Sequence, residues 1–540
     1  MDKDTEIPGQ TRRSLPKTRT GCLTCKIRRL KCGEEKPHCH RCLTFGVKCE
    51  GYRSKYTRGW PQASHLKSRP LYSKDDLVAT PTSMFRSPFA DGEYQYFDRF
   101  CRQTSLEIFP SFDIGMTRQI LLQACYTNAA IRHCIIAIGA LDKTSSTTRD
   151  FGKKSLDSLD WMKNASKHHT IALKQYAKAV GIMTAAALTS RFDLRETLLT
   201  SLLVLCFEAW NGNLQLAIQQ INVCIKLILQ WKYSHGSIQN SGLSPQPNVV
   251  ESELLQMFGR LAIQVAIFSP LDSIAGSEAL VLLGTEGRSL VSSMPDSFAD
   301  LKEAEIYNQG LLRQGTVFIQ SNPPEKFVNV ARSEIDPAIL AEQENITSNA
   351  LKWRRNFEKL KNDAAPGVRT RVGKAMEMEM QWAIGYVCTA TCLSADETIY
   401  DPYTNYYSQV VDLAGEVLND ACLPDNLQAT KYSFDNRIVI PVWMAGIWCR
   451  DQSVRRRAIN VLLKFPRREG VWDSVGAARM VQWISNLEQK YSENGYIPGW
   501  ARTHGFKWTA DLEKRSAYLV CYQKACPYTN AVEHRKTVHW

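Results

Sequence analysis

The 540-residue chain lacks any run approaching the ~20 apolar residues of a membrane span; its best, Leu198 to Phe207, is short and is broken by Thr200 and Ser201. The N-terminal MDKDTEIPGQ has no apolar stretch that would serve as a signal peptide. Both absences argue for a soluble intracellular protein with no membrane partner, in which thiols stay reduced and a disulfide scaffold is not expected. There is no Walker loop and no glycine-rich dinucleotide fingerprint after a strand. His133 beside Cys134, and the His168-His169 pair, assemble no triad or metal site, and Cys521-x4-Cys526 lacks a matching ligand pair. The expectation is that the protein is not an enzyme. No acidic tail closes the chain, and neither a strand-rich region nor a clean internal repeat is visible.

What the chain does have is six cysteines at Cys22, Cys25, Cys32, Cys39, Cys42 and Cys49, so that one C-x2-C-x6-C half is written twice. Zinc prefers four ligands in a tetrahedron; two ions need eight coordination sites and six thiolates offer six, so two sulfurs must bridge. A single-zinc finger would leave two cysteines idle. The duplicated spacing therefore favours one binuclear cluster holding two zinc ions, with all six cysteines as ligands. His38 and His40 flank Cys39 and can in principle replace a thiolate, but six cysteines already stand in register. Phe45 and Val47 are expected to pack the small module.

The formal charge of +13 is concentrated near these cysteines: residues 1–80 hold 18 Lys+Arg against 8 Asp+Glu, a net of +10. A coordinating thiol is deprotonated outright, so two zinc ions on six thiolates bring the whole protein to about +11. A small basic module on a nearly neutral body is the electrostatic footprint of a nucleic-acid binder. Between Cys25 and Cys32 lie Lys26, Ile27, Arg28, Arg29, Leu30 and Lys31, good helix formers with Ile27 and Leu30 on one face and the cations on the other. A short helix held at both ends by metal can turn such cations to the major groove, where guanine offers O6 and N7 as paired acceptors. Upstream, Arg12, Arg13, Lys17 and Arg19 form a basic arm open to several readings: a minor-groove or phosphate contact, part of a nuclear localisation signal, or a tail with no specific role.

The run TGCLTCKIRRLKCGEEKPHCHRCLTFGVKCEGY, Thr20 to Tyr52, resembles the fungal binuclear zinc-cluster transcription factor family. That resemblance implies that Cys22 and Cys39 bridge, that one zinc takes Cys25 and Cys32 as its other ligands, and that the second takes Cys42 and Cys49. It also implies that Arg29, fourth after Cys25, stands where the family reads a base of a CGG-like triplet in double-stranded DNA, commonly with a lysine. Arginine's rigid fork can make a bidentate guanine contact that an ammonium cannot. Lys26, Arg28 and Lys31 then become phosphate or auxiliary base contacts. Pro37 matches the family's loop proline, whereas Gly33 replaces the polar residue often found there.

The domain reading is a basic disordered arm at 1–19, the zinc-cluster DNA-binding module at 20–52, a disordered linker at 53–92 and a large helical domain at 93–540. The linker carries Pro61, Pro70, Pro81 and Pro88 and admits no heptad, so the coiled coil that relatives often place there is not expected and the oligomeric state stays open. In the body, Asp193 and Glu196 suggest a capping box for a helix through about Trp210, punctuated by Asn211-Gly212. Leu214, Ile218, Ile221, Ile225 and Ile228 form one apolar stripe, Ile131, Cys134, Ile135, Ile138 and Leu141 another, and similar patterns recur near 370–393 and 472–487. The fold class is thus mostly α, with an all-helical body. From FDRFCRQTSLEIFPSF (Phe97 to Phe112) onward the body resembles the fungal-specific regulatory domain, and DQSVRRRAINVLLKFPRREGVWDS (Asp451 to Ser474) looks like its C-terminal mark. Arg455, Arg456, Arg457, Arg467 and Arg468 offer either a site for an acidic partner or, as the favoured reading, ion pairs that organise the body. The other body cysteines are read as small core residues.

The expected function is a zinc-dependent, sequence-specific regulator of RNA polymerase II transcription in the nucleus, with co-regulators among its partners and a metabolic or secondary-metabolite gene cluster as target. The alternatives are a helical ligand sensor or scaffold whose zinc module binds protein or nonspecific nucleic acid, and, last, a helical enzyme with an accessory zinc module.

Overall fold

The computed structural model describes residues 22, 24, 25, 32–36, 38–44 and 49 around the cysteines, and 89, 92–109, 114–152, 160–188, 193–234, 249–268, 277–363, 369–419, 432–434, 437–512 and 514–540 beyond them. The chain divides into two units, residues 1–85 and 86–540. The basic arm and nearly all of the proline-rich linker lie outside the described residues. In the first unit the described segment from Cys39 runs into the helix His40–Thr44.

The second unit is built mainly of helices around two large apolar cores, with a smaller cluster about Phe318 and Phe327. The first core takes its side chains from residues 96–265 together with Tyr432 and Phe434. At its centre the helix Leu194–Asn211 is apolar on nearly every face and correspondingly buried. The Asp193 carboxylate accepts from the Glu196 N–H at 2.9 Å, satisfying one of the orphan donors of the first turn. The helix stops at Gly212, whose φ of 98° lies in the left-handed region that glycine adopts without strain. On the following helix, Leu214–Ser234, the stripe Ile218, Ile221, Ile225 and Ile228 is buried against that core. Ile131, Cys134, Ile135, Ile138 and Leu141 likewise point inward from Ala129–Gly152, which packs along Asp160–Leu188. Where Tyr94–Arg99 crosses this helix only a glycine fits, because a Cβ on Gly139 would come within 2.1 Å of the Tyr96 carbonyl oxygen.

The second core gathers residues from Val291 to Val538. Its central helix, Val439–Trp448, reads VIPVWMAGIW and is buried along almost its whole length. Glu469, fully buried, holds the helix start: its Oε2 accepts from the N–H groups of Arg437, Ile438 and Val439 at 2.8–2.9 Å. The expected helices near 370–393 and 472–487 are Arg369–Thr391 and Ser474–Gln489.

The mostly helical expectation holds, but the expectation of a body without strands does not. β1 (Tyr432–Ser433) pairs in parallel with β2 (Arg468–Glu469), which turns back on β3 (Trp472–Asp473). The C-terminal segment forms an antiparallel meander of β4 (His504–Asp511), β5 (Ser516–Lys524) and β6 (Ala531–His539), with Ala517 paired to both Ala510 and Val538. Ala517, Leu519, Cys521 and Gln523 alternate inward along β5, so the sheet covers the second core with one face. A period of two over one short strand is a weak pattern, and the strong helical stripes elsewhere drew the sequence reading away from it. No helix among the described residues is long and apolar enough to cross a membrane.

Candidate metal centre and nucleic-acid interface

The six cysteines at 22–49 come together as a buried cluster, each at most 7% exposed, and among the described residues of this unit the buried apolar core consists of these sulfurs alone. They fall into two overlapping quartets, Cys22, Cys25, Cys32, Cys39 and Cys22, Cys39, Cys42, Cys49, with the sulfurs of each quartet within 4.8 Å of one another. Cys22 and Cys39 are common to both. A tetrahedral zinc site with ~2.3 Å Zn–S bonds has a sulfur–sulfur edge of about 3.8 Å. Within the quartets the Sγ–Sγ separations are 3.6 Å for Cys22–Cys39, 3.6 Å for Cys25–Cys39 and 3.8 Å for Cys22–Cys42. The donors therefore fit tetrahedral metal in spacing as well as in number. Cys25 and Cys42, one from each quartet, also stand 3.8 Å apart, which makes the sulfurs one cluster rather than two.

The backbone repeats the duplication of the sequence. Cys22 N–H donates to Cys32 Sγ at 3.3 Å, and Cys39 N–H to Cys49 Sγ at 3.4 Å, ten residues ahead in both halves. Cys25 N–H donates back to Cys22 Sγ, and Cys42 N–H back to Cys39 Sγ, both at 3.4 Å and three residues behind. The two halves thus have the same local fold, with the shared sulfurs held by equivalent amides. Such bonds orient ligands and favour the thiolate. Burial nevertheless pushes the Cys22, Cys25 and Cys42 thiols upward, Cys42 to about 12. Deprotonation of the cluster consequently depends on the positive charge of the metal.

Between the halves, Glu34 adopts φ 68° and its N–H donates to Cys32 Sγ. Glu35 Oε2 accepts from the His40 N–H at 2.9 Å, and this bond lowers its carboxyl below the usual range. An acid placed ahead of the His40–Thr44 helix was the available sequence signal for this cap, and it was missed. The two neighbouring histidines do not join the quartets; His40 Nδ1 instead meets Thr44 Oγ1 at 3.3 Å. Lys26, Arg28, Arg29 and Lys31, the expected DNA contacts, lie outside the described residues, as do Phe45 and Val47.

Residues 20–59 match the fungal Zn(2)-Cys(6) binuclear cluster domain, and residues 94–271 the fungal specific transcription factor domain. In carrying these two domains the chain is similar to fungal binuclear zinc-cluster transcription factors. Its cluster domain binds two zinc ions. The chain is similar to the aspercryptin biosynthesis cluster-specific transcription regulator atnN of Emericella nidulans, 21% identical over an alignment of 581 residues that covers 88% of each chain. It is also similar, over a short stretch, to the transcriptional regulatory protein moc3 of Schizosaccharomyces pombe, 56% identical over 36 residues, 7% of either chain. The Zn(2)-C6 fungal-type transcription factor afumD of Aspergillus fumigatus is 40% identical over 55 residues, 10% of this chain and 15% of afumD. No solved structure matches the chain. The transcription factor match takes in the first core of the body apart from Tyr432 and Phe434, while the Asp451–Ser474 segment lies beyond it.

In that segment four of the five arginines are paired or hydrogen-bonded within the body. Arg455 pairs with Glu488 at 2.6 Å, Arg467 with Glu469 at 3.0 Å and Arg457 with Asp412, while Arg468 reaches the Ala209 and Trp210 carbonyls. These four organise the body, as the ion-pair reading expects; Arg456 is exposed. Three body histidines are packing partners: His133 meets Gln175, His168 meets Tyr96 and His169 meets Asn211.

Proposed function

We propose that the protein is a nuclear, non-enzymatic, sequence-specific DNA-binding regulator of RNA polymerase II transcription, composed of a basic arm (1–19), a reader (20–52), a linker (53–92) and a regulatory body (93–540). The supporting observation is the pair of cysteine quartets sharing Cys22 and Cys39, set in the part of the chain that carries +10 of its +13 charges. In this reading Cys22 and Cys39 bridge, Cys25 and Cys32 complete one site, and Cys42 and Cys49 complete the other. Zinc supplies the cross-link that a segment this short cannot obtain from an apolar core. The chain between Cys25 and Cys32 is then tied at both ends, which lets Arg29 fork onto guanine O6 and N7 of a CGG-like triplet while Lys26, Arg28 and Lys31 neutralise phosphates. The linker, with four prolines and no heptad, sets no fixed spacing between half-sites. Control of a biosynthetic gene cluster, with co-regulators recruited by the body, is consistent with the name of the relative atnN.

Binding-site selection with the full chain tests this reading. Arg29→Ala should relax preference at one base position, losing about 1–3 kcal/mol of discrimination there. Lys31→Ala should weaken all sequences alike and reduce the salt slope by about one. Selection of no common sequence by the unaltered protein would defeat the proposal, and unchanged specificity in Arg29→Ala would remove that residue from the reader.

A further inference from the structure

The body contains a partly open cavity of about 440 Å³, within the ~300–1,000 Å³ range of small-molecule pockets. It lies where the two apolar cores meet: Gln264 reaches it from the helix Ser252–Phe268 of the first core, while Asn308, Trp382, Trp443 and Trp508 line it from elements of the second. The lining is mainly apolar and rich in aromatic rings, with Trp443 and Trp508 packed edge to face at 5.0 Å.

Two features narrow what fits there. First, the charged side chains deep in the wall are matched within the protein. Arg260 and Lys374 both pair with Glu305, at 3.2 and 2.5 Å; Glu377 pairs with Arg437; and Arg450 pairs with Glu397 and Glu488, each at 3.0 Å. Glu325 stands exposed at the rim. An ionic ligand would have to compete with these pairs and lose its own hydration, so the wall favours a neutral one. Second, the polar atoms on lining residues that find no hydrogen-bond partner among the described residues, on Gln264, Asn308, Gln320, Trp443 and Arg450, are themselves buried beneath the wall, so the surface offered to a guest is chiefly apolar and aromatic. A flat aromatic guest would fill it by stacking on the rings.

We infer that this cavity is a binding site for a neutral, largely aromatic small molecule. Because the walls come from both cores, the occupant touches both halves of the body. The site is independent of the DNA reading, and its test is read on the body alone.

The experiment uses full-length, zinc-loaded protein titrated with Nile red, a neutral polycyclic dye with a carbonyl acceptor and no donor, followed by dye emission and by tryptophan quenching. One saturable equivalent is expected, at micromolar concentration. Trp443→Leu removes an aromatic face of the wall and should weaken the dye about fivefold, the loss of one aromatic pair. The anionic dye 1-anilinonaphthalene-8-sulfonate should bind the unaltered protein at least tenfold more weakly than Nile red, a comparison that needs no variant to fold. Arg29→Ala should leave every one of these values unchanged, which separates failure of the DNA reading from failure of this one. No uptake, uptake of several equivalents, equal affinity for the anionic dye, or indifference of correctly folded Trp443→Leu would each overturn the inference and leave a cavity that holds solvent only.

Discussion

The segment Cys22–Cys49 and the body differ most plainly in what they bury. The described residues of the first have six sulfurs as their buried core; the body buries several dozen aliphatic and aromatic side chains in two cores. One region is cross-linked by coordination and the other is held by exclusion of apolar surface from water, so they should respond to different perturbations. Coordination needs particular atoms at particular spacings, whereas burial tolerates many sequences of the right periodicity.

The largest effect should come from removing metal. Structural zinc contributes roughly 10–16 kcal/mol in modules of this kind. A strong chelator should therefore abolish DNA binding while the far-ultraviolet helical signal and thermal midpoint of the body stay unchanged. Cys39→Ala removes a sulfur shared by both quartets and should lower zinc content from two toward none, whereas Cys49→Ala, in a single quartet, should retain about one. Elemental analysis decides the matter. Equal zinc in the two variants would break the bridging assignment, and loss of body structure on chelation would break the contrast between the regions.

The same contrast explains how much was readable beforehand. The duplicated spacing pointed to a shared cluster because few other chemistries need it, and the quartets overlap at Cys22 and Cys39. In the body, helices with caps and stripes were legible: Asp193 and Gly212 bracket one, and Ile218 to Ile228 face inward on the next. The meander at 504–539 was not, because burial alternates cleanly on β5 but much less so on its neighbours β4 and β6. The cavity was illegible for a different reason, since Gln264, Asn308 and Trp443 share no local pattern and meet only through the tertiary fold. Arg455 was correctly read as an ion-pair residue, yet nothing local identifies Glu488, 33 positions onward, as its partner.

That pair supplies the second perturbation, aimed at the body. Glu488 is fully buried; it pairs with Arg455 at 2.6 Å and accepts from Arg450 at 3.0 Å and from the Thr503 N–H at 2.8 Å. Arg455 also donates to the Gly446 and Ile447 carbonyls, tying the end of Val439–Trp448 to Ser474–Gln489. Breaking a buried pair from one side leaves an uncompensated charge, so Glu488→Gln should destabilise the body by about 3–5 kcal/mol without changing zinc content. Burial alone would raise this carboxyl, but Arg450 and Arg455 outweigh it and lower it from 4.5 to about 2. The stabilisation is therefore complete above pH 4.5 and is lost as the pH falls toward 2. Thermal melts across that window should show a steep acid loss that Glu488→Gln lacks. Parallel curves for the two proteins would mean that the carboxylate is not held by these arginines.

The smallest effect compares the same device in both regions. Asp193 caps Leu194–Asn211 through the Glu196 N–H, and Glu35 caps His40–Thr44 through the His40 N–H. In the body the cap joins a cooperative apolar fold, and Asp193→Ala should lower its stability by about 1 kcal/mol. In the cysteine segment the cap is solvent-exposed and the fold is set by sulfur and metal, so Glu35→Ala should leave both the zinc content and the concentration of chelator needed to strip it unchanged. Denaturant unfolding measures the first variant and chelator titration the second. If Glu35→Ala released zinc as readily as loss of a cysteine, the module would depend on its loop as much as on its metal, and coordination alone would not account for its fold.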